Sequence, residues 1–290
     1  MARIAIITHE GTFHCDEILA TALIKCFYAK DADYVDVIRV NHNNHTGSEL
    51  VESFTKFYDV VFVIDVGREL DEDKKLFDHH QFDPKEFRKA SSGLVYDWLR
   101  ENNLIPESIM GELNKITEIS DLHDIGIRKA QPGELPWIVA NFNTDNPYGK
   151  QQHTAFNEAL RFLYKMLKGL KRKAERLEEA KRRLTSEVKI VEELTKDGWK
   201  VLKFENGFIP NWQYVLPVIQ EFSDVDIVYW YDENKQKWKA QVVPVKPDSF
   251  DRRNRALENL DVPGKVFIHN GKFFAVFETE DDLINYLKQL

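Results

Sequence analysis

Short apolar runs rich in β-branched residues, separated by stretches of helical spacing, limit this chain to a small set of folds. Residues 3–8 form such a run and end in a polar loop, as a strand buried in a parallel sheet does. Residues 16–30 follow with apolar side chains at helical spacing: Ile18, Leu19, Ala22, Leu23, Cys26 and Phe27. Residues 34–40 and 59–65 read as further strands and 75–77 as a short one, while 48–57, 93–100 and 106–122 read as helices. Ser91 and Ser92 are predicted to cap the helix that starts at 93. Strands alternating with helices predict an α/β domain over residues 1–150, a mostly parallel sheet flanked by helices.

The texture changes near residue 153, where Phe156, Leu160, Leu163, Leu167 and Leu170 recur at helical spacing into a charge-rich stretch over 171–183. Glu175, Glu178 and Glu179 interrupt its basic residues, so a salt-bridged amphipathic helix is expected there rather than a nucleic-acid-binding face. Residues 151–197 are read as one long connecting helical segment. Beyond Gly198, strands are expected at 199–204, 227–231, 237–245 and 265–277, with turns at Asp232-Glu233-Asn234 and Asn270-Gly271 and a closing helix over 281–290. This predicts a smaller C-terminal α+β domain over residues 198–290.

Composition narrows the function classes. No stretch approaches the roughly 18 apolar residues of a membrane span, and the run 4–7 is too short for a signal-peptide core. With Cys15 and Cys26 the only cysteines, a disulfide framework is excluded and a reducing cytoplasm is expected. A formal net charge of −8 gives no general attraction to nucleic acid, so if the substrate is a nucleic acid it must be gripped locally, by bound metals and a few basic side chains.

Four segments carry metal-capable side chains where a predicted strand or helix gives way to a loop. They are His9-Glu10-Gly11-Thr12-Phe13-His14-Cys15-Asp16, Asp65 after the run 60–64, Asp78-His79-His80, and Asp121-Leu122-His123-Asp124. Ligands of open parallel sheets collect beyond the carboxyl ends of the strands, which would bring the first three together. Imidazole and carboxylate donors without thiolate suit Mn²⁺, Fe²⁺, Co²⁺ or Zn²⁺ and suit Ca²⁺ poorly. Two ions need a bridging carboxylate, a place Asp65 and Asp121 are positioned to fill. Cys15, between two candidate ligands, is expected to be a packing residue rather than a nucleophile.

These residues resemble the DHH phosphoesterase superfamily, named for the tripeptide that this chain carries as Asp78-His79-His80. More closely, the chain is similar to the branch typified by the melanocyte-proliferating-gene (Myg) exonucleases. The segments at 8–17, 63–67, 77–81 and 91–96 carry the likeness, which continues through 118–126 and loosely through 266–269. The resemblance implies two divalent metals, Mn²⁺ foremost, with Zn²⁺, Co²⁺, Fe²⁺ or Mg²⁺ as the other candidates. One would be held by His9, His14, Asp65 and a fourth-segment aspartate, and the other by Asp16, Asp65, His79 and that same aspartate. Asp121 is expected to be that ligand and Asp124 its support; His123 and Ile125 depart from the family's usual residues there. Most of the superfamily has Asp where this chain has His14, which implies a softer or different metal. His80 would contact the phosphate, and Asp78 would orient the imidazoles.

The implied activity is hydrolysis of phosphodiester bonds, as a 3′-to-5′ exonuclease on short or single-stranded RNA or DNA. The alternatives are a small-metabolite phosphatase or pyrophosphatase and a non-catalytic metal or nucleotide binder. The C-terminal domain would grip the substrate through Arg252, Arg253, Arg255, His269 and Asn270. Trp212, Tyr214, Trp230 and Tyr231 are weighed as base-stacking groups, with packing favoured. No membrane partner is expected, and a homodimer is compatible with the sequence.

Overall fold

The first β-branched run forms β1 (Arg3–His9), buried from Ile4 onward and placed at the centre of a parallel sheet. β2 (Tyr34–Val40) pairs with it on one side and β3 (Val60–Ile64) on the other, both parallel. β5 (Leu76–Phe77) extends the sheet parallel to β3, and β4 (Leu70–Asp71) closes that edge antiparallel, giving the order β2-β1-β3-β5-β4. The computed structural model describes residues 2–41, 45–186, 188–191, 194–204, 225–244 and 255–290.

Alternation along the strands divides the apolar side chains between two layers. Ile4, Ile6, Phe62 and Ile64 face the layer that contains Ile18, Leu19 and Leu23 of α1 (Cys15–Leu23). Ala5, Ile7, Val61 and Val63 face the opposite layer with Leu50 of α2 (Gly47–Phe54). Burying each of the larger aliphatic or aromatic side chains contributes about 1.5–3 kcal/mol. Every residue of α1 is buried, its carboxylates included, and the helix ends in one wider turn, Ile24–Tyr28. α3 (Ser91–Glu101) and α4 (Glu107–Asp124) pack beside it, and α5 (Leu135–Ala140) follows.

Helix α6 (Lys150–Ser186) seats Phe156, Leu160, Leu163 and Leu167 in the α1 layer. It stops at Ser186 rather than running on to 197, and the strand β6 (Val188–Val191) begins at once. The chain divides into two compact units, Met1–Ala174 and Glu175–Leu290. In the second, β7 (Val201–Phe204), β8 (Ile227–Asp232), β9 (Lys237–Val242), β10 (Lys265–Ile268) and β11 (Phe274–Phe277) form a sheet with β6, in the order β10-β11-β9-β8-β7-β6. The run at 265–277 forms β10 and β11 as a hairpin, turning at Asn270-Gly271 as expected. Leu283, Tyr286 and Leu287 of α7 (Glu280–Leu287) cover one face, and Leu177 and Ala180 of α6 pack with Leu202, Val228 and Trp230 on the other. Trp230 is therefore core, as packing predicted, while Trp212 and Tyr214 lie outside the described residues. Among the described residues no helix is long and apolar enough to cross a membrane.

The turn after β3 is pinned by backbone contact. Gly67 has φ of 96°, and a Cβ there would run into the Gly47 amide nitrogen and lie 2.7 Å from Gly47 Cα. Gly47 N–H donates to Gly67 O at 3.2 Å across the same contact. Gly67→Ala is expected to lower stability by about 3 kcal/mol, from left-handed strain plus overpacking. A urea midpoint left unchanged would refute this account of the turn.

Candidate metal centre

Strand register decides which side chains meet. Ile7 pairs with Val63, and Val63 pairs with Leu76. His9, Asp65 and Asp78 each stand two residues beyond that shared rung, at the carboxyl edge of the sheet. Asp65 is the first residue past β3 and has φ of 57°, a conformation that strains a non-glycine residue and that its surroundings must hold in place. Its amide donates to Phe77 O at 3.1 Å, locking the start of the turn to β5.

Around Asp65 the polar groups of the first unit converge. One donor atom from each of Asp16, Asp65, His79 and Asp124 lies within 4.8 Å of every other, and the same holds for His9, His14 and Glu17 and for Asp65, Asp78, His79 and His80. His9 Nε2 joins these groups, 3.3 Å from Asp65 Oδ2 and 3.1 Å from Glu17 Oε1. His79 Nε2 is 3.2 Å from Asp124 Oδ2, its Nδ1 is 3.5 Å from Asp65 Oδ1, and His14 Nδ1 is 3.6 Å from Asp124 Oδ1.

Outer contacts orient these groups. His9 Nδ1 donates to Glu10 O at 2.9 Å, which fixes the ring with Nε2 turned towards two carboxylates. Asp78 Oδ1 accepts from the His80 amide at 2.9 Å and bonds His80 Nδ1 at 2.7 Å, while its Oδ2 accepts from Arg68 N–H at 2.8 Å. The expected helix caps take another role. Ala90, not a serine, occupies the N-cap of α3, and Ser91 and Ser92 N–H donate to Asp16 Oδ2 and Oδ1 at 2.9 and 2.7 Å. A carboxylate from α1 thus satisfies the amides a capping side chain would otherwise take, and the helix dipole favours its charge.

The two fourth-segment aspartates stand in the opposite places to those expected. Asp124 shares the cluster with Asp16, Asp65 and His79. Asp121, one turn earlier on α4, spends its Oδ1 accepting from Ser92 Oγ at 2.8 Å and Gly93 N–H at 2.9 Å. The first turn of α3 captures it before it can reach the cluster, and burial pushes its carboxyl up to about 7. Glu17 is not among the expected ligands; it forms a capping box with His14 at the start of α1. Its oxygens do accept from His14 N–H at 2.9 and 3.0 Å, yet the side chain is fully buried against His9. Of the other expected residues, His269 and Asn270 lie in the turn between β10 and β11 of the second unit, where His269 Nδ1 accepts from Gly271 N–H at 2.9 Å. Arg252 and Arg253 lie outside the described residues, and Arg255 stacks on Trp199, 3.5 Å from Asp226. Cys15 is buried, and burial pushes its thiol far up, which suits packing and not nucleophilic attack.

The electrostatics fit a site for cations. Asp16, Glu17, Asp65 and Asp78 are almost wholly buried, and among the described residues no Lys or Arg forms a salt bridge with them or with Asp124. Burial, then Asp124 and Asp65, push the Asp16 carboxyl well up. Burial alone would lower His9, but Glu17 and Asp65 outweigh it and raise the imidazole to about 11. Asp65 goes the other way: burial is outweighed by His9, His79 and His80, which hold it well below the usual carboxylate range. Buried carboxylates this close need positive charge between them. His79 Nδ1, buried with no hydrogen-bond partner among the described residues, is a donor atom of the kind that a metal satisfies.

Comparison with known proteins places the chain. The model of the MYG1 exonuclease family (MYG1_exonuc, described as an uncharacterised protein family, UPF0160) matches residues 5–289. The chain belongs to this family. MYG1 exonuclease of Mus musculus is 24% identical over 341 residues, covering 98% of this chain and 84% of the mouse protein. The MYG1 protein C27H6.8 of Caenorhabditis elegans is 25% identical over 322 residues, covering 92% and 89%. Among solved structures, RecJ of Thermus thermophilus in complex with Mn²⁺ aligns at 17% identity and a TM-score of 0.28, over 99% of this chain and 51% of that one. The likeness to the Myg branch that the motifs carry thus extends across the MYG1-type chain.

Proposed function

We propose that this protein is a two-metal-dependent phosphoesterase that hydrolyses phosphodiester bonds, working as a 3′-to-5′ exonuclease on short or single-stranded RNA or DNA with Mn²⁺ as its metal. The observation that carries the reading is the convergence of His9, Asp16, His79 and Asp124 on Asp65, with His14 beside His9 and Asp124 and with no Lys or Arg paired to these carboxylates among the described residues. The curated MYG1 relatives named as exonucleases supply the class of reaction. One metal is assigned to His9, His14, Asp65 and Asp124 and the other to Asp16, Asp65, His79 and Asp124. When bound, such ions would bring a water towards neutral pKa and neutralise charge on the phosphate.

The chain's own residues then divide the remaining work. Asp65 offers Oδ2 towards His9 and Oδ1 towards His79, so it would serve as the bridging carboxylate. Glu17, its two oxygens accepting from His14 N–H, backs the His9 imidazole. Asp78 raises the pKa of His80, chiefly through the hydrogen bond at Nδ1, and so favours the imidazolium form, in which both ring nitrogens carry a proton. Nε2–H of that half-exposed ring is then free to donate to a phosphate oxygen as charge builds there. The C-terminal unit is assigned the grip on the rest of the substrate, with Arg252, Arg253, His269 and Asn270 as its candidate contacts.

Incubation of Mn²⁺-loaded protein with end-labelled RNA and DNA tests this directly. Stepwise release of mononucleotides from the 3′ end is expected. Phosphate release from nucleotides or pyrophosphate without oligonucleotide cleavage would make it a metabolite phosphatase instead, and binding without any turnover would make it a non-catalytic binder. His80→Ala is expected to retain both metals by elemental analysis while losing about 10²–10³-fold in turnover, as removal of one charge-stabilising donor does. Loss of metal in that variant would make His80 a ligand instead of a phosphate contact.

A further inference from the structure

Beside the cluster opens a cleft of about 380 Å³ with a lining of two kinds. His14, His79, His80 and Asp124 belong to the polar centre; Phe82, Pro84 and Phe87 are hydrocarbon. Ile125 and Gly126 complete the lining among the described residues, so outside the polar centre these offer no side-chain hydrogen-bonding group and no Lys or Arg. A substrate phosphate held at the centre therefore meets, in the adjoining volume, groups that reward only apolar, polarisable surface. The size suits a mononucleotide, since small-ligand sites run from about 300 to 1,000 Å³.

The aromatic part is built rather than loose. Phe82 N–H donates to His79 O at 3.0 Å, so its ring rides on the same tight turn that carries the cluster imidazoles. Asp83 O accepts from Glu86 and Phe87 N–H at 3.0 and 2.9 Å, and Asp83 Oδ1 accepts from Lys85 N–H at 2.9 Å, folding the chain back. The Phe82 and Phe87 rings meet at 4.4 Å between centroids, tilted by 33°. Phe82 nevertheless stays 38% exposed, a large apolar face left open next to an ionic centre.

We propose that Phe82 and Phe87 form a stacking platform for the base of the nucleotide whose phosphate sits at the cluster, and that this platform accepts all four bases with little preference. The proposal rests on the phosphoesterase reading above for the placement of the phosphate. Every base has a π-face, so stacking on a phenyl ring is tolerant of sequence. Discrimination would need donors or acceptors aimed at a base edge, and among the described residues the apolar part of the lining has no such side chain. An exonuclease that trims strands of any sequence needs that indifference.

Calorimetric titration of the full-length, Mn²⁺-loaded protein with AMP, CMP, GMP and UMP, set against base-free ribose 5-phosphate, tests the platform without relying on turnover. The four nucleotides are expected to bind with similar affinity and about 10-fold or more tighter than ribose 5-phosphate. Phe82→Ala should remove that advantage and leave ribose 5-phosphate binding as it was, while Phe82→Trp should keep or enlarge it. The platform is overturned if ribose 5-phosphate binds as tightly as AMP, or if Phe82→Ala weakens both ligands equally. A preference for one base of about 10-fold overturns the claim of indifference. Base-dependent binding in a protein that releases no mononucleotide from oligonucleotides would uphold the platform and sink the exonuclease reading, so the two failures are distinct.

Discussion

Asp65→Asn is expected to abolish turnover and metal-induced stabilisation together, with a larger loss than any other single change in the centre. The carboxylate faces His9 through one oxygen and His79 and His80 through the other, so both assigned metal positions depend on it. Loss of an outer-shell partner typically costs about 10–100-fold in metal affinity or activity, and a shared inner carboxylate should exceed the top of that range. An amide of the same shape keeps the left-handed backbone site but removes the charge. Two measurements separate the consequences. In the unmutated protein, excess Mn²⁺ should raise the melting temperature by mass action, and in Asp65→Asn that rise should vanish. Without metal the variant should also be less stable at neutral pH. The folded carboxyl lies below its unfolded value of about 3.9, so its contribution is present above that pH and lost as pH falls through the folded value. The stability difference between the two proteins should therefore shrink in acid. If Asp65→Asn binds two metals and turns over at full rate, the bridging assignment is wrong.

Much of this centre was legible in the sequence because strand ends were legible. The β-branched runs at 3–8, 34–40 and 59–65 fall on β1, β2 and β3 with ends shifted by a residue at most, and parallel strands gather their carboxyl ends. What sequence could not give was rotation and competition. Asp121 and Asp124 are three apart on one helix, so periodicity puts both on the same face and cannot say which one reaches the cluster. The answer depends on where the first turn of α3 lies, and its Ser92 and Gly93 capture Asp121. The same turn explains why Ser91 and Ser92 read as caps. Their composition is that of a helix start, but their amides are taken by Asp16 from a distant segment. Glu17 was hidden by a local explanation that is also true, since its contact with His14 N–H gives no hint that the carboxylate is buried against His9. β4 and β6 are too short to stand out by alternation, and the expected helical segment running to 197 missed the turn into β6 because charge patterning does not mark a helix end.

Gly93→Ala should act against the usual rule. In an exposed helix interior, alanine stabilises over glycine by roughly 0.5–1 kcal/mol. A Cβ at Gly93 would overlap Asp121 Oδ2 and lie 2.8 Å from its Cγ, with the carboxylate already held by Ser92 Oγ and the Gly93 amide. Something in that packed layer must move. The substitution is therefore expected to destabilise by about 1–3 kcal/mol, the range for overpacking a filled core. It should also weaken metal binding, because pushing Asp121 aside displaces α4 where it carries Asp124, and disturbs the α3 amides that hold Asp16. Gly111→Ala on the same α4 is the control, since nothing lies within 4 Å of its Cβ position, and it should follow the rule and stabilise. Adding Asp121→Ala to Gly93→Ala removes the obstructing carboxylate. If overlap is the cause, the double variant loses less stability than the sum of the two single changes, a coupling that independent sites do not show. Equal stabilisation by Gly93→Ala and Gly111→Ala would mean that Asp121 does not pack against α3 as described, and the geometry that favours Asp124 over Asp121 as the metal ligand would fall with it.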